Sequence, residues 1–365
     1  MSKQSGQPPA SPRKAARWAL YLPYVLLLLV AVGVSAFWFI ARDRVNDAVD
    51  AWLTTEAGRG RQWTCPERTL SGFPLRFEIS CTRPTFDGQL GDGRRVQGEM
   101  AGFTAVAQIY DPNLVVLDFR GPVTVREQGR PDGVRLAWEG FSLSVRRAAN
   151  AFSRLSAYMK KPVLAAVDGQ GGEALIGRAD AWEAHVRPDP AAPNGDDMWD
   201  VASQLVKASV PAADALLGNQ SPMTVELQAG LNRAGLFAKG AGPAQIDAWR
   251  AAGGRLKVAL LKLTRGDQIV EARGELGVDD LRRLSGQLDV KAAGVSELLA
   301  RLTGRRGGMG GLLAGGLAML GGGQGAQQQG GQPSGPALTQ MPPLVFADGR
   351  LMIGPFPVMR LQPLY

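Results

Sequence analysis

The sequence predicts a mainly β protein: a curved antiparallel sheet with a few covering helices, preceded by one N-terminal transmembrane helix. Three observations predict it. Residues 19–40 carry no charge and centre on Leu26, Leu27, Leu28 and Leu29. From Gln62 onward the apolar period changes from 3.6 to 2, as in Leu75-Arg76-Phe77-Glu78-Ile79. Turn chemistry then punctuates the alternating runs at intervals of about 8–12 residues.

The apolar run comes first. A helix rises about 1.5 Å per residue, so roughly 20 apolar residues cross a hydrocarbon core of about 30 Å. Lys3, Arg13, Lys14 and Arg17 precede the run, and no acid occurs before Asp43. Positive charge stays on the cytoplasmic side, which predicts a cytoplasmic arm (1–18), an anchor (19–40) and an exported remainder. A cleaved signal peptide is the competing reading, but its apolar region is typically about 7–15 residues. The run here is longer and ends in Phe37-Trp38-Phe39-Ile40, an aromatic girdle suited to a membrane surface. The uncleaved anchor is favoured, and Pro23 is tolerated in its first turn.

Past the anchor, residues 42–55 place Val45, Ala48, Val49, Trp52 and Leu53 on one helical stripe. That stripe is expected to pack on the sheet, with Gly58 and Gly60 ending the helix. Strands are expected over 75–79, 103–109, 114–119, 123–128, 134–138 and 141–145. Turns fall at Asp111-Pro112-Asn113, Gly121-Pro122 and Pro131-Asp132-Gly133. Residues 148–159 and 198–217 read as mainly helical, and 174–186 as a strand pair about Gly177. A helix over 243–252 has a Pro start and a Gly253-Gly254 stop. Residues 255–278 form a hairpin about Arg265-Gly266-Asp267, 284–290 extend the sheet, and 295–302 make a helical turn or two. Residues 303–340, rich in Gly and Gln, are expected to be a disordered loop. A hairpin at Asp348-Gly349 and a last strand (341–365) complete the β-rich domain begun at 41–302.

The two cysteines, Cys65 and Cys81, flank Ser71-Gly72-Phe73-Pro74. Outside the cytoplasm such a pair suggests a structural disulfide, stabilising by about 3 kcal/mol on the chain-entropy model. Two buried free thiols are the alternative. Phe73, Pro74 and Arg76 form a candidate recognition turn. The plainer reading is a turn whose Phe73 plugs the core while Arg76, on the alternate face, pairs with Glu78 or with a neighbouring strand.

Composition excludes more than it selects. The net charge is +8, and four of the positive charges lie in the N-terminal arm, leaving about +4 dispersed in pairs such as Arg94-Arg95. Nucleic-acid binding would want a basic stripe with interleaved aromatics. The single histidine, His185, alternates with Glu183 as a strand surface residue would. One histidine and two bridged cysteines make no zinc site. No GxSxG, P-loop, GxGxxG or HExxH string occurs. Asp279-Asp280 is read as the start of a helical turn, with metal binding as the minor alternative, and Trp138 and Trp182 as core or groove-lining aromatics. No enzyme, cofactor or metal is expected.

One string has a familiar order: Trp63-x-Cys65, then Ser71-Gly72-Phe73-Pro74-Leu75-Arg76-Phe77-Glu78-Ile79-x-Cys81, then Tyr110-x-Pro112-Asn113. It resembles a bacterial envelope family catalogued as domain of unknown function 2125. A looser similarity, to AsmA-like envelope proteins, rests on Gly274-x-Leu276-x-Val278, Leu284-x-Gly286-x-Leu288-x-Val290 and the ending around Asp348-Gly349. That similarity implies an inner-membrane helix and a sheet whose apolar inside holds lipid. The expected protein is therefore anchored in a bacterial inner membrane, with its N-terminus cytoplasmic and its bulk periplasmic. Its expected role is non-enzymatic binding of lipid or acyl chains in a curved groove. The alternative is an envelope scaffold or assembly factor that binds other envelope proteins.

Overall fold

A computed structural model describes residues 18, 21–89, 94–148, 151–192, 197–217, 220–237, 242–294 and 338–365. The chain enters through α1 (Leu22–Gly58), a single 37-residue helix with Pro23 in its first turn. The expected membrane segment and the amphipathic stripe are thus one continuous rod, about 55 Å long at 1.5 Å per residue. Val45, Val49 and Leu53 of the stripe are partly buried, Ala48 is exposed, and the half-exposed Trp52 ring lies 6.1 Å from that of Trp63. Among the described residues this is the one helix long and apolar enough to cross a membrane.

Every strand pairing that follows is antiparallel. In chain order come β1 (Arg61–Thr64), β2 (Glu67–Ser71), β3 (Arg76–Thr82), β4 (Thr85–Gln89), β5 (Arg95–Gln108), β6 (Asp111–Glu127) and β7 (Gly133–Ala137). Then follow β8 (Gly140–Ala148), β9 (Ala151–Lys160), β10 (Val163–Val167), β11 (Glu173–Arg178), β12 (Ala181–Pro188) and β13 (Met198–Ala208). The short α2 (Pro211–Leu217) precedes β14 (Met223–Asn232), and α3 (Pro243–Ala251) precedes β15 (Leu256–Arg265). The last strands are β16 (Gln268–Val278), β17 (Leu284–Ala293), β18 (Thr339–Ala347), β19 (Arg350–Ile353) and β20 (Phe356–Arg360).

The long hairpin of β5 and β6 belongs to two ribbons at once. Its half nearest the Ile109-Tyr110 turn pairs with β3 and β8. From there the main ribbon continues through β9, β12, β13 and every strand from β14 to β20 in order. The other half pairs with β4 and β7, and carries a side ribbon from β1 to β11. A register shift between Met100 and Gly102 and the Gly121-Pro122 step mark the branch. Both glycines are needed there. A Cβ on Gly102 would meet the Cys81 carbonyl at 2.7 Å, and one on Gly121 would meet the Trp138 indole at 2.9 Å.

Several sequence expectations change. Residues 151–159 and 198–208 are strand, not helix: Leu155, Ala157 and Met159 point to one face and Arg154, Ser156 and Tyr158 to the other. Pairing on both sides outweighs their helical composition. Gly177 lies inside β11, and the strands around it pair elsewhere, β11 with β10 and β12 with β9 and β13. Asp111-Pro112-Asn113 begins β6, the turn having closed at Ile109-Tyr110, and Gly121-Pro122 is a bend within β6. Asp279 organises a tight turn rather than a helix, accepting hydrogen bonds from the Leu281 and Arg283 amides. Residues 295–337, with the expected helical turn and most of the Gly/Gln loop, lie outside the described residues. The far end of that loop is strand, since β18 begins at Thr339. The hairpins at Gly266-Asp267 and Asp348-Gly349 and the helix at Pro243 stand as expected.

Burial concentrates on one face of the main ribbon. Val258, Ala272, Leu288 and Val290 form its tightest cluster, with Leu227, Leu261, Met341 and Phe346 packed against it. At the end of β14, α3 buries Trp249, whose Nε1 donates to the Asn232 carbonyl at 2.8 Å.

Candidate functional site

The junction between α1 and the sheet is built around Trp38. Its side chain is 4% exposed, although it closes the apolar run of the helix. It stacks on Phe77 (centroids 5.8 Å apart, 12°), meets Phe73 edge-on at 5.5 Å, and donates Nε1–H to the Arg76 carbonyl at 2.9 Å. Phe39 also reaches Phe73, at 5.7 Å. Farther up the helix Arg68 of β2 donates to Asp50 at 2.6 Å. Glu56 accepts from Arg61 at 2.6 Å and from Arg59 at 3.0 Å. Those bonds, Arg61's first, hold the Glu56 carboxyl below its ordinary pKa.

The predicted turn residues therefore meet the helix. Phe73 does not plug the core: it is half exposed and packs on Trp38 and Phe39. Pro74 follows it in the turn, which the Arg76 amide closes on the Gly72 carbonyl at 3.0 Å. Arg76 pairs with Glu78 at 2.9 Å, as its alternation suggests. Cys65 and Cys81 are disulfide-bonded, which ties the β1–β2 connection to the fully buried end of β3.

Alternation gives the main ribbon two chemically distinct faces. One row on the first face runs through directly paired residues Ile79, Ala105, Leu117, Leu143, Ala157, Ala184 and Ser203. It continues through Leu227, Leu261, Ala272 and Val290 to Met341. Its lowest stretch, Ala157-Ala184-Ser203, lies between larger neighbours: Met159, Trp182 and Leu205 on one side, Leu155, Val186 and Val201 on the other. Ser203 is the polar member, and its hydroxyl is satisfied by the Glu183 carbonyl and the Trp182 indole. From β14 to β18 this face is filled by the buried cluster, but from β5 to β13 most of its apolar side chains are only partly covered.

The opposite face is polar. Its corresponding row reads Glu78, Val106, Val116, Ser144, Ser156, His185, Ala202 and Gln228. An open cavity of about 580 Å³ lies here, lined by Arg154, Ser156, His185, Arg187, Asp200 and Gln228 among others. Arg187 and Asp200 neutralise each other at 3.2 Å, and His185 Nδ1 lies 3.0 Å from the Ser156 hydroxyl. This is a solvated ladder of cross-strand pairs, with His185 on the strand surface as its alternation implies. Among the described residues no group of three or more His, Cys, Asp and Glu is placed to hold a metal ion. The role of Trp38 as a joint was not legible in the sequence, where it reads as part of an interfacial girdle; its partners on the sheet side, Phe73, Arg76 and Phe77, are remote in the chain.

The bacterial family described as an uncharacterized conserved protein, domain of unknown function 2125, matches residues 38–362. The chain belongs to this family. The region shared with domain of unknown function 2125 begins at Trp38 itself, so it takes in the residue that joins helix to sheet as well as the whole sheet. No curated protein and no solved structure matches the chain. The looser likeness to AsmA-like proteins finds no support in these comparisons.

Proposed function

We propose that this protein is a single-pass anchor whose sheet stands on the periplasmic side of a bacterial inner membrane and holds lipid acyl chains against its apolar face, without catalysing a reaction. The orientation rests on the four positive charges ahead of the apolar run. The observation that carries the ligand is the apolar face from β3 to β13. It runs across strands spaced about 4.8 Å apart with Ser203 as the polar member of its central row, and its low stretch at Ala157-Ala184-Ser203 is flanked by taller rows. An acyl chain occupies one leaflet, half of a core about 30 Å thick, so one chain would cover roughly three strand spacings. Burial of that chain would remove apolar area from water on both partners at about 25 cal/mol per Å².

Neighbouring residues of β12 supply the test. A photoreactive phenylalanine at Ala184 reports the apolar face, and one at His185 reports the polar face of the same strand. Irradiation in cells, followed by mass spectrometry of the full chain, should give a phospholipid-sized adduct at Ala184 and none at His185. Equal labelling at both positions, or none at Ala184, would sink the reading.

One observation favours a second reading, a scaffold for other envelope proteins. The terminal strand β20 pairs only with β19 among the described strands, and Val358 and Met359 on it are about half exposed. An open strand edge is a template for another chain. Protein adducts trapped at Val358 with no lipid at Ala184 would move the proposal there.

A further inference from the structure

We infer that the end of the sheet beside α1 is a membrane-inserting foot: Phe73, Leu75 and Tyr110 enter the interface of the same bilayer that holds the helix. This rests on reading α1 as an anchor and goes beyond it, because a tethered sheet could equally well stand clear of the lipid.

The height of the foot follows from the helix. Residues 19–40 are uncharged, and Arg42 is the first charge beyond them, so the boundary of the apolar layer lies near Arg42. Arg42 lays its guanidinium over the Trp38 ring, 5.9 Å from its centroid, a cation–π contact that ties this first charge to the end of the apolar run. Trp38 lies four residues deeper, about 6 Å at the helical rise. Phe73 touches both Trp38 and Phe39, so the turn that carries it sits on the lipid side of Arg42.

The exposed surface fits that depth. The Gly72–Leu75 turn and the Ile109-Tyr110 turn lie side by side, joined by the Ile109 amide donating to the Leu75 carbonyl at 3.0 Å. Phe73, Leu75 and Tyr110 are 52%, 57% and 73% exposed. Large apolar side chains clustered on two adjacent tips are costly in water, while an aromatic ring with a polar handle is suited to the headgroup region. The arrangement also brings the start of the apolar sheet face, at Phe77 and Ile79, to the bilayer surface. A lipid could then pass between membrane and sheet without crossing water.

The chain's two cysteines are bonded to each other, so an added thiol is uniquely labelled. Four full-length variants, Leu28→Cys, Leu75→Cys, Tyr110→Cys and Gln128→Cys, would carry an environment-sensitive fluorophore. They would be reconstituted in vesicles of phosphatidylethanolamine and phosphatidylglycerol, with and without lipids bearing a doxyl quencher near the headgroup or deep in the chain. The labels at Leu75 and Tyr110 should be blue-shifted and lose half or more of their emission to the shallow quencher. The label at Gln128, at the other end of β6, should stay aqueous, and that at Leu28 should respond to the deep quencher. Aqueous spectra at Leu75 and Tyr110 with Leu28 quenched would overturn the foot alone. An aqueous Leu28 would overturn the anchor and the foot with it. Blue-shifted labels at Leu75 and Tyr110 that no lipid quencher touches would place a protein on this surface and overturn the foot as well.

Discussion

Trp38 of the helix and Phe77 of β3 lie face to face, 5.8 Å between centroids, and theirs is the stack through which the apolar helix becomes part of a folded domain. A buried tryptophan cut to alanine typically costs about 3–5 kcal/mol. Trp38→Ala should therefore lower the urea midpoint of the full chain in mild detergent, followed by far-ultraviolet circular dichroism. Trp38→Phe keeps the stack and loses one hydrogen bond to the Arg76 carbonyl, a loss of about 1 kcal/mol. An unchanged midpoint for Trp38→Ala would show that the helix merely tethers the sheet.

The Glu56 cluster predicts a pH dependence. Hydrogen bonds from Arg61 and then Arg59 hold the folded-state pKa of Glu56 below its ordinary 4.5. The folded state thus binds its proton less readily than the unfolded chain. The stabilisation is complete above the unfolded value and is lost as pH falls through the folded one. Asp50 shifts the same way through its bond from Arg68. The melting-temperature gap between the native chain and Glu56→Gln should be constant above pH 5.5 and should close as the pH falls below about 4.5. A gap of the same size from pH 7 to pH 3 would rule the linkage out.

The Cys65–Cys81 bond joins residues 16 positions apart around the turn that meets the helix. Its removal should cost about 3 kcal/mol on the chain-entropy model. Reductant should then shift the denaturation midpoint of the native chain down to that of a Cys65→Ala, Cys81→Ala double variant, and leave the variant where it was. If the native midpoint ignores reductant that demonstrably opens the bond, the disulfide is not structural.

How much of this was legible in the sequence depended on how far apart the partners are. Period-2 runs such as Leu75 to Ile79, and hairpins with Gly266-Asp267 or Asp348-Gly349 at their tips, are local signals and hold. The β9 segment was lost to its composition, since Ala, Leu, Arg and Met favour helices when no neighbour is known. Its alternation, with Leu155, Ala157 and Met159 on one face, carries the strand, and pairing with β8 and β12 decides it. Phe73 shows the limit more sharply. A Gly-Phe-Pro turn gives no hint that its ring will rest on Trp38, because that contact joins a helix and a turn that are far apart in the chain.

A buried ion pair fixes the seam between the two ribbons. Arg265, at the end of β15 and 3% exposed, donates to Asp214 of α2 at 2.8 Å, and Asp214 also accepts from the Ser209 hydroxyl. Ser209 in turn exchanges backbone hydrogen bonds with Arg178 at the end of the side ribbon. Removing one partner of a buried pair leaves a charge without its counter-ion, which costs about 3–5 kcal/mol, whereas replacing both by apolar groups is often close to neutral. Asp214→Ala should accordingly destabilise more than Asp214→Leu combined with Arg265→Met. Hydrogen exchange in the single variant should rise in β10 and β11 before it rises in β15 to β17, since the side ribbon is what the seam holds. If the double variant loses as much stability as the single variants summed, the two side chains are not coupled and the pair does not fix the seam.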